Sequence, residues 1–190
     1  GQPARRPDQA AGGTEMLPEP EKKTVDYYRR LSEKDLMTGL YNRGSFEYYV
    51  KKRLESGEGG TFYMIDLDDF KAVNDTYGHV AGDRVIMDMA DILRRIFAKE
   101  AIIGRLGGDE FGVFFAAPRE VGVLEYKLKS LVQNYQALAQ KNWPRACSSL
   151  SIGGVHGQMP REFAELYRMA DKVLYEVKKE GKGSVRILPL

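Results

Sequence analysis

The sequence predicts an α/β (α+β) fold in which a mixed sheet is covered by helices. Two observations carry that expectation. Apolar residues recur at helical spacing in several separated segments, and short apolar runs of strand length lie between them, so strands and helices alternate along one chain. The second is size: 190 residues with 43% hydrophobic composition suffice for one well-buried core and are too few for two comfortable domains.

Residues 1–20 hold Pro3, Pro7, Pro18 and Pro20, the pair Gly12-Gly13 and few large apolar residues. Such a composition does not repay the entropy of ordering, so this stretch reads as a disordered linker or tag remnant. Over 21–34, Val25, Tyr28 and Leu31 fall at helical spacing among polar residues and predict an amphipathic connecting helix. It is either a solvated linker or a dimer-forming signalling helix. The rest, 35–190, is one folded domain. Ser45–Leu54 reads as helix, and Thr61–Ile65 as a buried strand that ends at Asp66. Val85, Met89, Leu93 and Ile96 mark one face of a long helix, after which Ala101–Leu106 and Phe111–Ala116 flank Gly107-Gly108 as a hairpin. Val121–Gln140 reads as helix and Ser148–Val155 as strand. Phe163, Leu166, Ala170, Val173 and Val177 form the inner stripe of a last helix, Gly181 stops it, and Ser184–Leu188 is a closing strand.

A formal charge of +2, from 29 basic and 27 acidic side chains, lacks the cationic excess of a nucleic-acid or membrane-surface binder. The single cysteine, Cys147, has no intramolecular disulfide partner, and no apolar run approaches the roughly 18 residues of a membrane span. A reducing, cytoplasmic setting is expected, with no nucleic acid and no membrane contact by this segment. The chain opens on Gly1 without a charged-then-apolar leader, so it reads as a fragment whose targeting segments, if any, lie elsewhere.

The candidate chemistry sits in two acidic runs. Asp66-Leu67-Asp68-Asp69-Phe70-Lys71 closes a strand that is otherwise wholly apolar. Burying an unpaired carboxylate is costly, so Asp66 is expected to face a cation, and magnesium takes such hard oxygen ligands together with substrate phosphates. Asp68 and Asp69 are expected instead to cap the short helix that carries Phe70 and Val73. The second run, Gly107-Gly108-Asp109-Glu110, brings two more acids to a tight bend where backbone approaches a ligand closely. Alone, such a turn is an ordinary hairpin. If the two strand ends are neighbours, Asp66 and Asp109 share metal ions held on the order of 4 Å apart, an arrangement suited to in-line displacement on a triphosphate.

From Asp35 to Ile187 the chain resembles the diguanylate cyclases, known by their GGDEF signature. Six pieces occur in the family's order. They are Asp35-Leu36-Met37-Thr38-Gly39-Leu40-Tyr41-Asn42-Arg43, Asp66 through Lys71 leading to Asn74-Asp75, Gly78-His79 with Gly82-Asp83, Arg105-Leu106 with the signature Gly107 to Phe111, Ser151-Ile152-Gly153, and Ala170-Asp171 through Tyr175 to Lys178 and Gly181.

The resemblance implies a central, mostly antiparallel sheet of about five strands wrapped by helices, related to the palm of polymerases and nucleotide cyclases. It implies that two GTP molecules, one per subunit of a homodimer, are joined into cyclic di-GMP with release of two pyrophosphates. Asp66, Asp109 and the main-chain carbonyl of Leu67 match the ligands of two magnesium or manganese ions. Asp109 also matches the residue that takes the 3′-hydroxyl proton, and Glu110 the acid that supports the metal site. Asn74 and Asp83 match the guanine-binding positions, with His79 between them; a carboxylate accepts from guanine N1 and N2 as a pair, so Asp83 favours a GTP-only enzyme. Phosphate binding falls to Lys71, Lys178 and Lys182 with backbone N–H groups around Asp69 and Phe70. Outside this pattern His79 reads as a surface histidine, Asn74 as a turn residue, and the two late lysines as solvated.

The sequence departs from the family at three places. Lys182 stands where arginine is frequent, Gly44 where a second arginine is, and Ala98-Lys99-Glu100-Ala101 replaces the Arg-x-x-Asp motif, so no inhibitory product site is expected. A sensory domain upstream in the parent protein is implied. The reading from another class is a catalytically weak or inactive module that senses GTP or cyclic di-GMP, and intact Asp66, Asp109, Glu110, Asn74 and Asp83 argue against it.

Overall fold

The computed structural model describes residues 18–97, 99–116 and 120–190. Most of the linker expected over 1–20 therefore lies outside the described residues, as does Ala98. The chain divides into two units, one ending at Ser32 and one running from Glu33 to Leu190. In the first, helix α1 (Glu19–Glu33) begins with Glu19 and Glu21 in its first turn, where acids complement the helix dipole, and exposes Val25, Tyr27, Tyr28 and Leu31.

The second unit is built on one five-stranded sheet. Its strands are β1 (Gly60–Asp68), β2 (Ile102–Arg105), β3 (Glu110–Phe115), β4 (Ser149–Gly157) and β5 (Val185–Pro189), in the order β2-β3-β1-β4-β5. Every pairing is antiparallel except β4 with β5, so the sheet is mixed and mostly antiparallel, as the sequence implied. Helices α2 (Arg43–Leu54) and α6 (Phe163–Lys179) cover one face, while α4 (His79–Phe97) and α5 (Val121–Asn142) cover the other; the short α3 (Phe70–Tyr77) links β1 to α4.

The two layers follow from the period of two along β1. Tyr63, Ile65 and Leu67 pack with Val85, Met89 and Leu93 of α4 and Leu124 and Leu128 of α5. Phe62 and Met64 point the other way, into Phe46 and Val50 of α2 and Leu166, Ala170 and Leu174 of α6. The expected inner stripe of α6 is buried at all five positions. Its backbone lies so close to β4 that a Cβ on Gly153 would stand 2.3 Å from the Leu174 nitrogen, which only glycine allows.

Two expectations are corrected here. β1 does not end at Asp66 but continues through Asp68, because β4 pairs with it to the end, with Asp66 opposite Ser151 and Asp68 opposite Ser149. Asp68 is no helix cap: it is 2% exposed. Its carboxylate accepts from Ser149 Oγ at 2.6 Å, from Ser151 Oγ at 2.8 Å and from the Gly183 N–H at 3.1 Å. Those donors make burial of the charge tolerable. Asp69 does occupy the position before α3, but its backbone is left-handed (φ 55°) and its side chain makes no cap bond, accepting instead from Lys182 Nζ at 2.9 Å.

Among the described residues the core holds a buried hydroxyl without a partner. The Tyr63 ring is fully buried and its hydroxyl makes no hydrogen bond. Tyr63→Phe therefore removes an unmet desolvation cost at constant shape, and a gain of about 1 kcal/mol is expected in chemical denaturation.

Candidate active site

The register of β1 against β3 brings the two acidic runs together. Asp66 stands directly opposite Glu110, and the Leu67 N–H donates to the Asp109 carbonyl at 3.2 Å, carrying the pairing one residue past the strand. Residues directly opposite across a pair project to the same face, so Asp66 and Glu110 both turn toward α6. That helix meets both acids. Lys178 Nζ donates to Asp66 Oδ2, and the Tyr167 hydroxyl donates to Glu110 Oε1 at 2.7 Å. The two α6 residues are about three turns apart on one helical face, roughly 16 Å along the axis, and their long side chains reach inward to neighbouring strands.

Burial and neighbouring carboxylates both act on Asp66. Burial pushes the Asp66 carboxyl up to about 6; Lys178 opposes the rise, and the nearby Asp109 and Glu110 carboxylates add to it. The second oxygen, Asp66 Oδ1, is buried without a hydrogen-bond partner. A hard divalent cation would supply that partner and offset the gathered negative charge. Among the described residues no group of three His, Cys, Asp or Glu side chains is arranged to hold a metal ion by itself. That pattern is compatible with magnesium, which keeps waters and takes phosphate oxygens in place of a full set of protein ligands. Leu67 has its side chain in the core.

The glycine turn is held from behind. Arg105 donates through Nε to the Gly107 carbonyl at 3.2 Å and through Nη2 to the Gly108 carbonyl at 2.9 Å, while Nη1 reaches both carboxylate oxygens of Asp35 at 3.2 and 3.3 Å. Asp35 in turn accepts from the Thr38 N–H at 2.9 Å and hydroxyl at 2.7 Å. Burial would raise the Asp35 pKa, but the Thr38 bonds and the Arg105 charge outweigh it and hold the carboxyl below its usual range. Neither Gly107 nor Gly108 has a positive φ, so conformational freedom is not what the turn needs from them. A Cβ at Gly108 would meet nothing within 4 Å; the position is open, exposed backbone.

The remaining candidates gather at the corner between α3 and α4. Asn74 lies in α3, Gly78 breaks the chain direction with φ 88°, and His79 and Asp83 occupy the first turns of α4 one above the other, both exposed. A Cβ on Gly82 would fall 1.9 Å from Asn74 Oδ1, so the glycine is what lets the Asn74 side chain lie against α4. Phe70 is half-buried against the core, whereas Lys71 is exposed and pairs along its own helix with Asp75 at 3.5 Å. Lys182, in a left-handed conformation (φ 62°), sits at Asp69, and Lys178 at Asp66. At the position of the absent product-binding motif, Glu100 accepts from Lys127 at 3.2 Å.

Sequence reasoning gave no role to Arg105, Asp35 or Tyr167. Arg105 lies two residues before the glycine pair, a spacing that allows a fork back onto the turn. Asp35 and Tyr167 act across 70 and 57 residues of chain, and no local pattern announces such contacts.

Comparison with known proteins agrees with this architecture. Residues 32–184 match the family model described as diguanylate cyclase, GGDEF domain. A probable diguanylate cyclase, DgcC of Escherichia coli, is 30% identical over 174 residues, covering 87% of this chain and 46% of the relative. The diguanylate cyclase DgcS of Shewanella oneidensis is 31% identical over 160 residues, covering 82% and 52%. The chain thus spans about half the length of the curated relatives it matches. Among solved structures, the coiled coil and GGDEF domain of DgcB from Caulobacter crescentus, in complex with c-di-GMP, superposes with a TM-score of 0.78 at 26% identity, covering 89% of this chain and 92% of that one. On the match over 32–184 and the shared sheet, the chain belongs to the GGDEF domain family of diguanylate cyclases.

Proposed function

We propose that residues 35–190 act as a diguanylate cyclase, condensing two GTP into cyclic di-GMP and two pyrophosphates, one GTP from each subunit of a homodimer. The observation that carries the reading is the buried, unpartnered Asp66 Oδ1, set opposite Glu110 in the sheet and within electrostatic reach of Asp109. An inactive sensing module has no need to keep a buried, unpartnered carboxylate oxygen at Asp66 beside two further acids.

Asp66, Asp109, Glu110 and the Leu67 carbonyl would hold two magnesium or manganese ions. When bound, these supply Lewis acidity that makes the attacking 3′-hydroxyl a better acid and neutralises the triphosphate. Asp109 accepts the hydroxyl proton. Lys178 and Lys182, now held by Asp66 and Asp69, provide point charges for the phosphates, with Lys71 and the backbone N–H groups at Asp69 and Phe70 beside them. Asn74 and Asp83 bind the guanine edge, where the N1 and N2 donors suit a carboxylate, and His79 lines the same corner. Since each subunit offers one GTP, turnover depends on pairing.

Incubating the chain with GTP, ATP and an equal mixture of both, in the presence of magnesium or manganese, tests the reading. Cyclic di-GMP as the sole cyclic product supports it; a mixed cyclic dinucleotide removes Asp83 as the selector of guanine, and unconverted nucleotide in every arm removes the cyclase.

A further inference from the structure

We infer that Tyr167 is a positioning residue for Glu110: its hydroxyl holds one carboxylate oxygen and leaves the other for the divalent cation that Glu110 would help Asp66 and Asp109 to hold. The inference rests on the metal-binding reading above.

The geometry is specific. Tyr167 is half-buried on α6, its ring 6.1 Å from that of Phe163 one turn earlier and its face 5.1 Å from the guanidinium carbon of Arg43 at the start of α2. A ring held between a neighbouring aromatic and a cation loses little further rotamer freedom in presenting its hydroxyl. The phenolic O–H faces a carboxylate oxygen, which when ionised can only accept, so Tyr167 is the donor in this bond. The bond of 2.7 Å to Oε1 leaves Oε2 of Glu110 without a tyrosine contact. Asp66, directly opposite, is held by Lys178 from the same helix, so α6 fixes two neighbouring acids by different means. The lysine brings charge to Asp66, and the tyrosine gives Glu110 direction without neutralising it. A neutral donor on a ligating carboxylate fixes its orientation and leaves its charge for the metal, and loss of such a partner typically costs about 10- to 100-fold in metal affinity.

Tyr167→Phe keeps the ring, its contact with Phe163 and the Arg43 stacking, and removes only the hydroxyl. Manganese binding would be followed by electron paramagnetic resonance, with a non-hydrolysable GTP analogue present, beside the metal dependence of turnover. The expected result is about 10-fold weaker manganese binding with the thermal melt of the metal-free chain near wild type. In a Glu110→Ala background the same hydroxyl deletion changes nothing further. Unchanged or tighter manganese binding in Tyr167→Phe, or an equal loss in the Glu110→Ala background, overturns the inference. If the unsubstituted chain with the GTP analogue binds no manganese at all, the metal reading itself fails, and that outcome is distinct.

Discussion

Asp109→Ala is expected to abolish cyclic di-GMP formation, lowering the rate by at least about a thousandfold, on the order of 4 kcal/mol of transition-state stabilisation. The size follows from the two roles assigned to one carboxylate, metal ligand and proton acceptor, since groups that act as a unit are lost together. The fold should survive the change. Asp109 is joined to β1 through its backbone carbonyl, which accepts from the Leu67 N–H, and alanine keeps that bond. Removing a carboxylate from beside the elevated Asp66 also relieves repulsion, so the metal-free variant is expected to melt no lower than wild type. Product chromatography and a thermal melt on the same sample separate the two effects.

The largest loss of stability is expected at an acid with no place in the chemistry. Asp68→Ala leaves the Ser149 and Ser151 hydroxyls and the Gly183 N–H without their shared acceptor in a site that is 2% exposed at Asp68. Losing charge-assisted bonds while stranding buried donors costs about 3 kcal/mol or more, read as a shift in the urea midpoint at constant slope. Ser151→Ala removes one donor and keeps the acceptor, so its cost is about 1 kcal/mol. Gly183 follows directly on Lys182, and Ser149 and Ser151 belong to the strand beside β1, so Asp68 ties the lysine-bearing loop to the end of β1. Activity in Asp68→Ala should fall with the folded fraction and with this loop's register together.

The legible parts of the molecule are those whose cause is local. Leu166, Ala170 and Val173 repeat at helical spacing and α6 is where they place it; Phe62 to Ile65 is an unbroken apolar run and β1 is buried on both faces. The acids Asp66, Asp109 and Glu110 were legible because their order along the chain matches a known family. Asp68 was misread as a cap because its donors lie some 80 residues away, on a strand whose pairing with β1 no local pattern announces. The same limit hid Tyr167 and the Arg105 fork onto Asp35. The glycine turn was legible in the residues themselves: neither glycine has a positive φ, and what the position offers is the open backbone expected of a bend that a ligand can approach.

On the proposed reading, this carboxylate pocket joins two GTP across two copies of the chain. That reading is tested most directly by measuring cyclic di-GMP and pyrophosphate from GTP as protein concentration is varied, with a second preparation paired through a fused coiled coil. Two pyrophosphates per cyclic di-GMP are expected, with a rate rising faster than linearly for the free chain when dilute and a linear rate for the fused pair. Bound but unconverted GTP in the fused pair with magnesium or manganese present would contradict the reading.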